Sequence, residues 1–464
     1  MDISKNQVIH IVGIGGIGMS GIAEILSGLG YLIQGSDLSL NSNVIRLRKK
    51  NIKIFIGHKK SNIKGANIII YSSAINKSNL ELKYALNNNI PILSRSEILS
   101  QIVKLRKTIL ISGSHGKTTT TTMISSLLSD LDLSPTVING GIINQYGTNT
   151  YLGTGEWMVV EADESDGTFI KLESAISVVT NIDKEHLEFY GSFKELKKSF
   201  HKFISRVPFY GFAVVCLDDK NIKSLVKKIT NTNIITYGLN SNSNIKAKNL
   251  RYYSDKTVFD VYIKFKTRRK LIKNFSIPII GEYNVLNSLA SISIAIKMNL
   301  SIKKTVQSLK NFKGVQRRLT QVGKYNKLKL IDDYAHHPTE IKSVLEAVKR
   351  SNPKSTITAI FQPHRYSRLL SLEKDFESCF KNANFVFISD VYAASEKKPK
   401  LFSINKLVKQ ISIKSKTKSS YLANYKNLKN EIIQNKSEGI YIFLGAGSIT
   451  EWPYKLLKLL NEKR

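Results

Sequence analysis

Cysteine is nearly missing from this 464-residue chain: Cys216 and Cys379 lie far apart and in no metal-ligand spacing. That excludes a disulfide-stapled scaffold and a cysteine-ligated metal centre, and it fits a reducing compartment. Acidic residues are also scarce, 35 Asp and Glu against 70 Lys and Arg, for a formal charge of +35. The basic surplus is mostly lysine scattered among Asn and Ile, as in "KITNTNIITYG", with no long arginine tract and no recognisable nucleic-acid motif. A spread positive field suits anionic nucleotide substrates, and no specific nucleic-acid partner is expected. Uninterrupted apolar runs are lacking too. The stretch from Val8 to Ile33 carries His10, Glu24 and many glycines, without a basic region before an unbroken apolar core. It reads as strand, loop and helix with no membrane insertion, hence a cytoplasmic protein.

What the chain does have is apolar material, 42% of its residues, in a length that one core rarely serves. Three α/β units in series account for it. The first opens with "QVIHIVGIGGIGMSGIAEILSGLGYLIQGSD": a strand from Val8 to Val12, a loop with Gly13, Gly15, Gly16 and Gly18, and a helix with Ile22, Ile25, Leu26 and Leu29 on one face. A second strand ends at Ser36-Asp37, and further strands are expected in "ANIIIYSSAI" and "IPILSR". This is a Rossmann-type start, in which backbone N–H groups and a helix N-terminus approach a phosphate. From the loop alone the default ligand is NAD, with Asp37 near a ribose; close helix–strand packing is the plainer explanation of the glycines.

The second unit begins at "ILISGSHGKTTTTTM". A strand over 108–111 runs into a short phosphate loop, G-x-x-G-K-T, and a helix over 118–128. Lys117 suits the β and γ phosphates of a nucleotide, and the Thr118 hydroxyl suits Mg²⁺. Strands in "EWMVVEAD" and "AISVVTNI" end in Glu161, Asp163, Glu164 and Asp166 and, further on, His186. Glu161 with Thr118 makes a plausible metal pair, and His186 a further ligand; a solvated turn and an ordinary histidine are the plainer alternatives. "SIPIIGEYNVLNSLASISIAI" reads as a turn into a long helix, and the pattern changes near Gly314. The expected units are therefore 1–106, 107–313 and 314–464. In the third, "DDYAHHPTE" and "PHRYSR" place His336, Arg365 and Arg368 at strand ends, where arginine grips carboxylates or phosphates.

Nearly end to end the chain resembles the Mur ligases. The resemblance is carried by "HIVGIGGIGMSGIAEIL", "GSD", "SSAI", "GSHGKTTTT", "EADESDGTF", "TNID..H", "GVQRRL", "DDYAHHPTEI", "FQPHRYSR" and "FLGAGSIT". It implies a Rossmann-like N-terminal domain for a UDP-sugar, a P-loop ATPase-like central domain and a Rossmann-like C-terminal ligase domain. The first glycine loop would then hold a UDP diphosphate instead of NAD. ATP would lie on Gly113, Ser114, His115, Gly116, Lys117, Thr118 and Thr119, with Asn284 and Asn287 in the segment associated with ATP. Thr118, Glu161 and His186 would form the Mg²⁺ shell. Lys117, His186, His336, Arg365 and Arg368 would serve the reaction, with Tyr334 also facing the reaction centre and Arg317 and Arg318 at the entry to the last domain. The implied substrates are UDP-N-acetylmuramate and L-alanine, joined through an acyl phosphate. The chain departs from the family pattern at Ser114, Glu185, Tyr283 and Ser448. Within the family the alternative is addition of a whole tripeptide to the same sugar; outside it, a nucleic-acid-stimulated NTPase using the positive charge.

Overall fold

The computed structural model describes residues 6–72, 74–240, 242–265, 269–400, 402–434 and 438–462. Ser73 of "SSAI" lies outside them. Three sheets organise the chain. The first comprises β1 (Val8–Val12), β2 (Leu32–Asp37), β3 (Lys53–Ile56), β4 (Ile68–Tyr71) and β5 (Ile92–Ser94) in the order β3-β2-β1-β4-β5, all parallel. The reversal of order beside β1 opens a crevice at the strand ends, and the glycine loop lies there.

The second sheet has ten strands: β6 (Lys107–Ser112), β7 (Thr136–Ile143), β8 (Thr148–Tyr151), β9 (Trp157–Glu161), β10 (Ile176–Val179), β11 (Phe212–Cys216), β12 (Ile234–Gly238), β13 (Ile245–Tyr252), β14 (Thr257–Lys264) and β15 (Arg269–Ile277). Their order is β15-β14-β13-β12-β11-β10-β6-β9-β7-β8. The parallel core β12-β11-β10-β6-β9-β7 is buried and reads as unbroken apolar runs such as "FAVVC". The third sheet comprises β16 (Thr320–Tyr325), β17 (Leu328–Asp333), β18 (Ile357–Phe361), β19 (Phe385–Ile388), β20 (Lys418–Tyr421) and β21 (Gly439–Leu444), ordered β16-β17-β21-β18-β19-β20. Only β16 runs antiparallel in it. The expected doubly wound α/β units are therefore present, with β11 to β15 as an extension of the second that the motifs did not reveal.

By contact density the chain divides into two compact units. One comprises Met1–Lys248, Val261–Ile272 and Leu286–Phe312, and holds the five-stranded sheet and most of the ten-stranded one. The other comprises Asn249–Asp260, Lys273–Val285 and Lys313–Arg464, and holds the six-stranded sheet. Among the described residues no helix is long and apolar enough to cross a membrane.

Candidate active site

In the first unit the phosphate loop joins β6 to the helix Lys117–Asp130. Gly113 (φ +131°) and Gly116 (φ +82°) both take backbone conformations that side chains resist. A Cβ on Gly113 would fall 2.2 Å from Thr180 Oγ1, and one on Gly116 2.7 Å from Asn287 Oδ1. The loop is braced by the residues after β10. The Ser114 N–H donates to the Asn181 carbonyl (3.1 Å) and the His115 N–H to Asn181 Oδ1 (2.8 Å). Thr180 Oγ1 in turn donates to the His115 carbonyl at 2.6 Å, and the His115 ring meets Asp183 at 3.1 Å. That bracing explains why "TNID" follows a buried strand. It leaves the helix N-terminus, with its unpaired first-turn N–H groups, directed at the loop.

Lys117 Nζ curls back over the loop and donates to the carbonyls of Gly113 (2.7 Å) and Ser114 (3.2 Å). It also pairs with the Glu164 carboxylate at 2.9 Å, a side chain with no exposed surface. Burial opposes the Lys117 charge, but Glu164, Asp163, Glu185 and Glu161 outweigh it and hold the ammonium pKa above its ordinary value. Burial pushes the carboxyls of Glu161 and Glu164 upward, against the pull of Lys117. An anionic phosphate brought to Lys117 thus meets a cation that the surrounding carboxylates hold charged.

Thr118 Oγ1 donates to Glu161 Oε1 at 3.2 Å, while Glu161 Oε2 accepts the Gly140 N–H at 2.7 Å. A hydroxyl and a carboxylate side by side at a phosphate loop form the oxygen donor set that a hard dication takes. A His186 ring nitrogen lies 3.8 Å from Glu164, and Asp163, Glu164 and His186 bring one ligand atom each within 4.8 Å of one another. The acidic run after β9 is therefore more than a solvated turn, because Glu164 is fully buried in it. Thr119 lies buried in the first turn of the same helix. Asn287 stands beside Gly116, whereas Asn284 belongs to the second unit and donates to the Ile280 carbonyl at 2.8 Å.

The N-terminal glycine loop has its own bracing. The Gly15 N–H donates to Asp37 Oδ2 at 2.8 Å, so the side chain that a ribose would need holds the loop backbone instead. Gly13 has φ +77°, and Gly16 caps the helix Ile17–Gly28, which starts one residue before Gly18. Arg95 Nη1 would lie 3.1 Å from a Cβ on Gly18, and the same guanidinium reaches Asp166 at 3.4 Å. Arg95 was not among the residues the motifs suggested; its signal was its place directly after β5, at the ligand edge of the first sheet.

In the second unit, loops after β17, β18 and β19 bring together Tyr334, His336, His364, Arg368 and Tyr392. The rings of His336 and His364 are 5.8 Å apart, and His364 stacks on Tyr392 at 5.4 Å. Arg368 Nη1 lies 3.1 Å from His364 Nδ1. Burial, with His336, Arg368 and Arg365 adding to it, lowers the His364 pKa to about 4, so the ring is neutral at physiological pH. Arg365 is held at φ +66° by its N–H bond to the Tyr392 carbonyl, 2.9 Å, and its side chain is exposed. The guanidinium groups of Arg317 and Arg318 cover Tyr334 at 4.7 and 5.1 Å. His364 is the residue the motif reading passed over, although it stands inside "PHRYSR". Of the departures, Tyr283 packs against the second unit's core and Ser448 Oγ accepts from Gln362 at 3.2 Å.

Comparison with known proteins agrees across the chain. Residues 8–107 match the profile of the Mur ligase family, catalytic domain; residues 111–295 that of the Mur ligase middle domain; and residues 317–447 that of the Mur ligase, glutamate ligase domain. The chain is 44% identical over 457 residues to the UDP-N-acetylmuramate–L-alanine ligase of Rhizobium etli, which covers 98% of this chain and 97% of that protein. Against the ligase of the same name from Rickettsia felis the identity is 46%, covering 97% and 96%. Among solved structures, the UDP-N-acetylmuramate-alanine ligase of Thermotoga maritima superimposes with a TM-score of 0.82 at 26% identity, covering 99% of this chain and 100% of that one. A murein peptide ligase from Psychrobacter arcticus shares the fold, with a TM-score of 0.71 at 21% identity, covering 99% and 100%.

Proposed function

The chain belongs to the Mur ligase family, and from that premise we propose how its residues carry out ATP-dependent ligation of L-alanine to UDP-N-acetylmuramate in peptidoglycan precursor synthesis. The reaction is placed in the cytoplasm, on three domains spanning 1–106, 107–313 and 314–464. The observation that carries the site assignment is Lys117, fixed over its own phosphate loop by two carbonyls and Glu164. Phosphate oxygens of ATP take over those bonds, and the loop of Gly113 to Thr119 wraps them. The loop of Gly13, Gly15, Gly16 and Gly18 holds the UDP diphosphate.

The lactyl carboxylate of the sugar must attack the γ-phosphate of ATP, so two anions have to meet, and positioning with fixed positive charge supplies most of the catalysis. Mg²⁺ fits the donor pair Thr118 and Glu161, with His186, Asp163 and Glu164 beside them, and when bound supplies further positive charge at the phosphates. Lys117 neutralises the transferred group. In the second half-reaction the neutral amine of L-alanine attacks the acyl phosphate, forming the amide and releasing phosphate. His336, Arg365 and Arg368 are assigned to the amino acid and the tetrahedral intermediate. His364, held neutral beside Arg368, lies in the same cluster and accepts at Nδ1 from that guanidinium.

Oxygen labelling tests this sequence of steps. With both carboxylate oxygens of UDP-N-acetylmuramate labelled, one labelled oxygen is expected in each inorganic phosphate released and the other in the amide. Label-free phosphate would contradict an acyl phosphate.

A further inference from the structure

Phe209 is 96% exposed and its neighbour Tyr210 72%, their rings edge to face at 5.4 Å. They stand in the turn between the helix Phe193–Ser205 and β11. That turn is pinned: the Gly211 N–H donates to the Pro208 carbonyl at 2.9 Å, and a Cβ on Gly211 would lie 2.0 Å from the Ala175 carbonyl oxygen. Nothing in ligation uses these rings. Isolated exposed apolar side chains are ordinary, but two adjoining aromatics held out from a rigid turn mark a contact surface.

The sheet shows what surrounds them. Because β12, β11, β10 and β6 are parallel neighbours, the segments entering them share one edge. Those segments carry the exposed Lys227 and Lys228 before β12, Arg206 before β11, Lys171 before β10, and Leu105, 58% exposed, before β6. The acidic side chains at this edge include Glu156, Glu173 and Asp132, matched by Lys107 at 2.9 Å, Lys104 at 3.1 Å and Lys304 at 3.2 Å, and Asp130, which accepts from Ser308 at 2.6 Å before β7. In the segments entering β12, β11, β10 and β6 the remaining charge is positive. The phosphate loop lies at the opposite edge of the same sheet, after β6.

We propose that this strand-entry edge docks on an anionic lipid surface, with its lysines and Arg206 against headgroup phosphates and Phe209, Tyr210 and Leu105 in the interfacial layer. Basic side chains near an anionic leaflet each add attraction, and aromatic rings favour the headgroup level. The geometry favours lipid over nucleic acid, because bases stack on aromatic faces along a groove, whereas these rings stand edge to face on a projecting turn. Docked this way, the enzyme keeps its nucleotide loop open to water.

Pelleting of the full chain with vesicles tests this. Binding is expected with vesicles of phosphatidylcholine plus phosphatidylglycerol and not with phosphatidylcholine alone. The double variants Lys227→Glu/Lys228→Glu and Phe209→Ser/Tyr210→Ser should each weaken it by at least about tenfold. Ligation measured without vesicles should be unchanged in both, which keeps this test separate from that of the reaction. No pelleting with the anionic vesicles, or pelleting indifferent to Phe209 and Tyr210, would overturn the proposal. So would variants whose effect falls instead on binding of RNA or duplex DNA, or on a dimer seen by light scattering.

Discussion

Replacing Lys117 with alanine is expected to lower ligation by at least about a thousandfold, the scale on which fixed charges at a transferring phosphoryl group act. The loss should appear in kcat, because the ammonium interacts most strongly with the charge that develops during transfer. Folding has to be checked separately. Removing one partner of a buried pair typically costs about 3–5 kcal/mol if the other stays charged. Here Glu164 escapes much of that cost, since burial already raises its pKa and it can take up a proton. The double variant Lys117→Met/Glu164→Gln removes the remaining charge and should melt near the unaltered protein while staying inactive. Substantial turnover by either variant would contradict the role given to Lys117.

The second large effect lies far from the phosphate loop. Glu81, in the helix Leu80–Asn87, has no exposed surface, yet it accepts bonds from Ser36 Oγ and Asn62 Nδ2, both at 2.6 Å, and from the Lys59 N–H at 3.3 Å. His58 lies 3.1 Å from it and His10 3.6 Å. Burial alone would raise the Glu81 pKa, but the His10 imidazole beside it and the hydrogen bonds from Ser36 and Asn62 prevail and lower it from 4.5 to about 2. A carboxylate shifted in that direction stabilises the fold above pH 4.5, and the contribution is lost as pH falls through 4.5 towards 2. Glu81→Gln should therefore destabilise the protein at neutral pH by about 3 kcal/mol. In urea unfolding followed by circular dichroism, the gap between the variant and the unaltered protein should narrow in acid. A gap of equal size at neutral and acid pH would assign the loss to shape rather than charge.

That network also shows where sequence reading stops. The loops of Gly13–Gly18 and Gly113–Thr118 were legible because their chemistry is local: strand, glycines, helix N-terminus and lysine stand within one short stretch. The strand-end clusters around Glu161, His336 and Arg365 were legible for the same reason. Glu81 sits in "NLELKYAL", where a charged residue on a helix ordinarily faces water, and its partners are 19 to 71 residues away. Only the fold brings them together. The grouping of His186 with Asp163 and Glu164 was not legible, because it depends on a turn whose φ at His186 is +56°. Strands β11 to β15 escaped notice because they carry no motif. Their short apolar runs in a lysine- and asparagine-rich background do not by themselves separate strand from buried helix.

Ligation is tested by incubating the chain with ATP, Mg²⁺ and UDP-N-acetylmuramate, adding L-alanine or the tripeptide in parallel, and following phosphate release and product mass. Phosphate together with a single-alanine adduct, formed only with L-alanine, is the result expected. A tripeptide adduct in its place, or neither product, would contradict it.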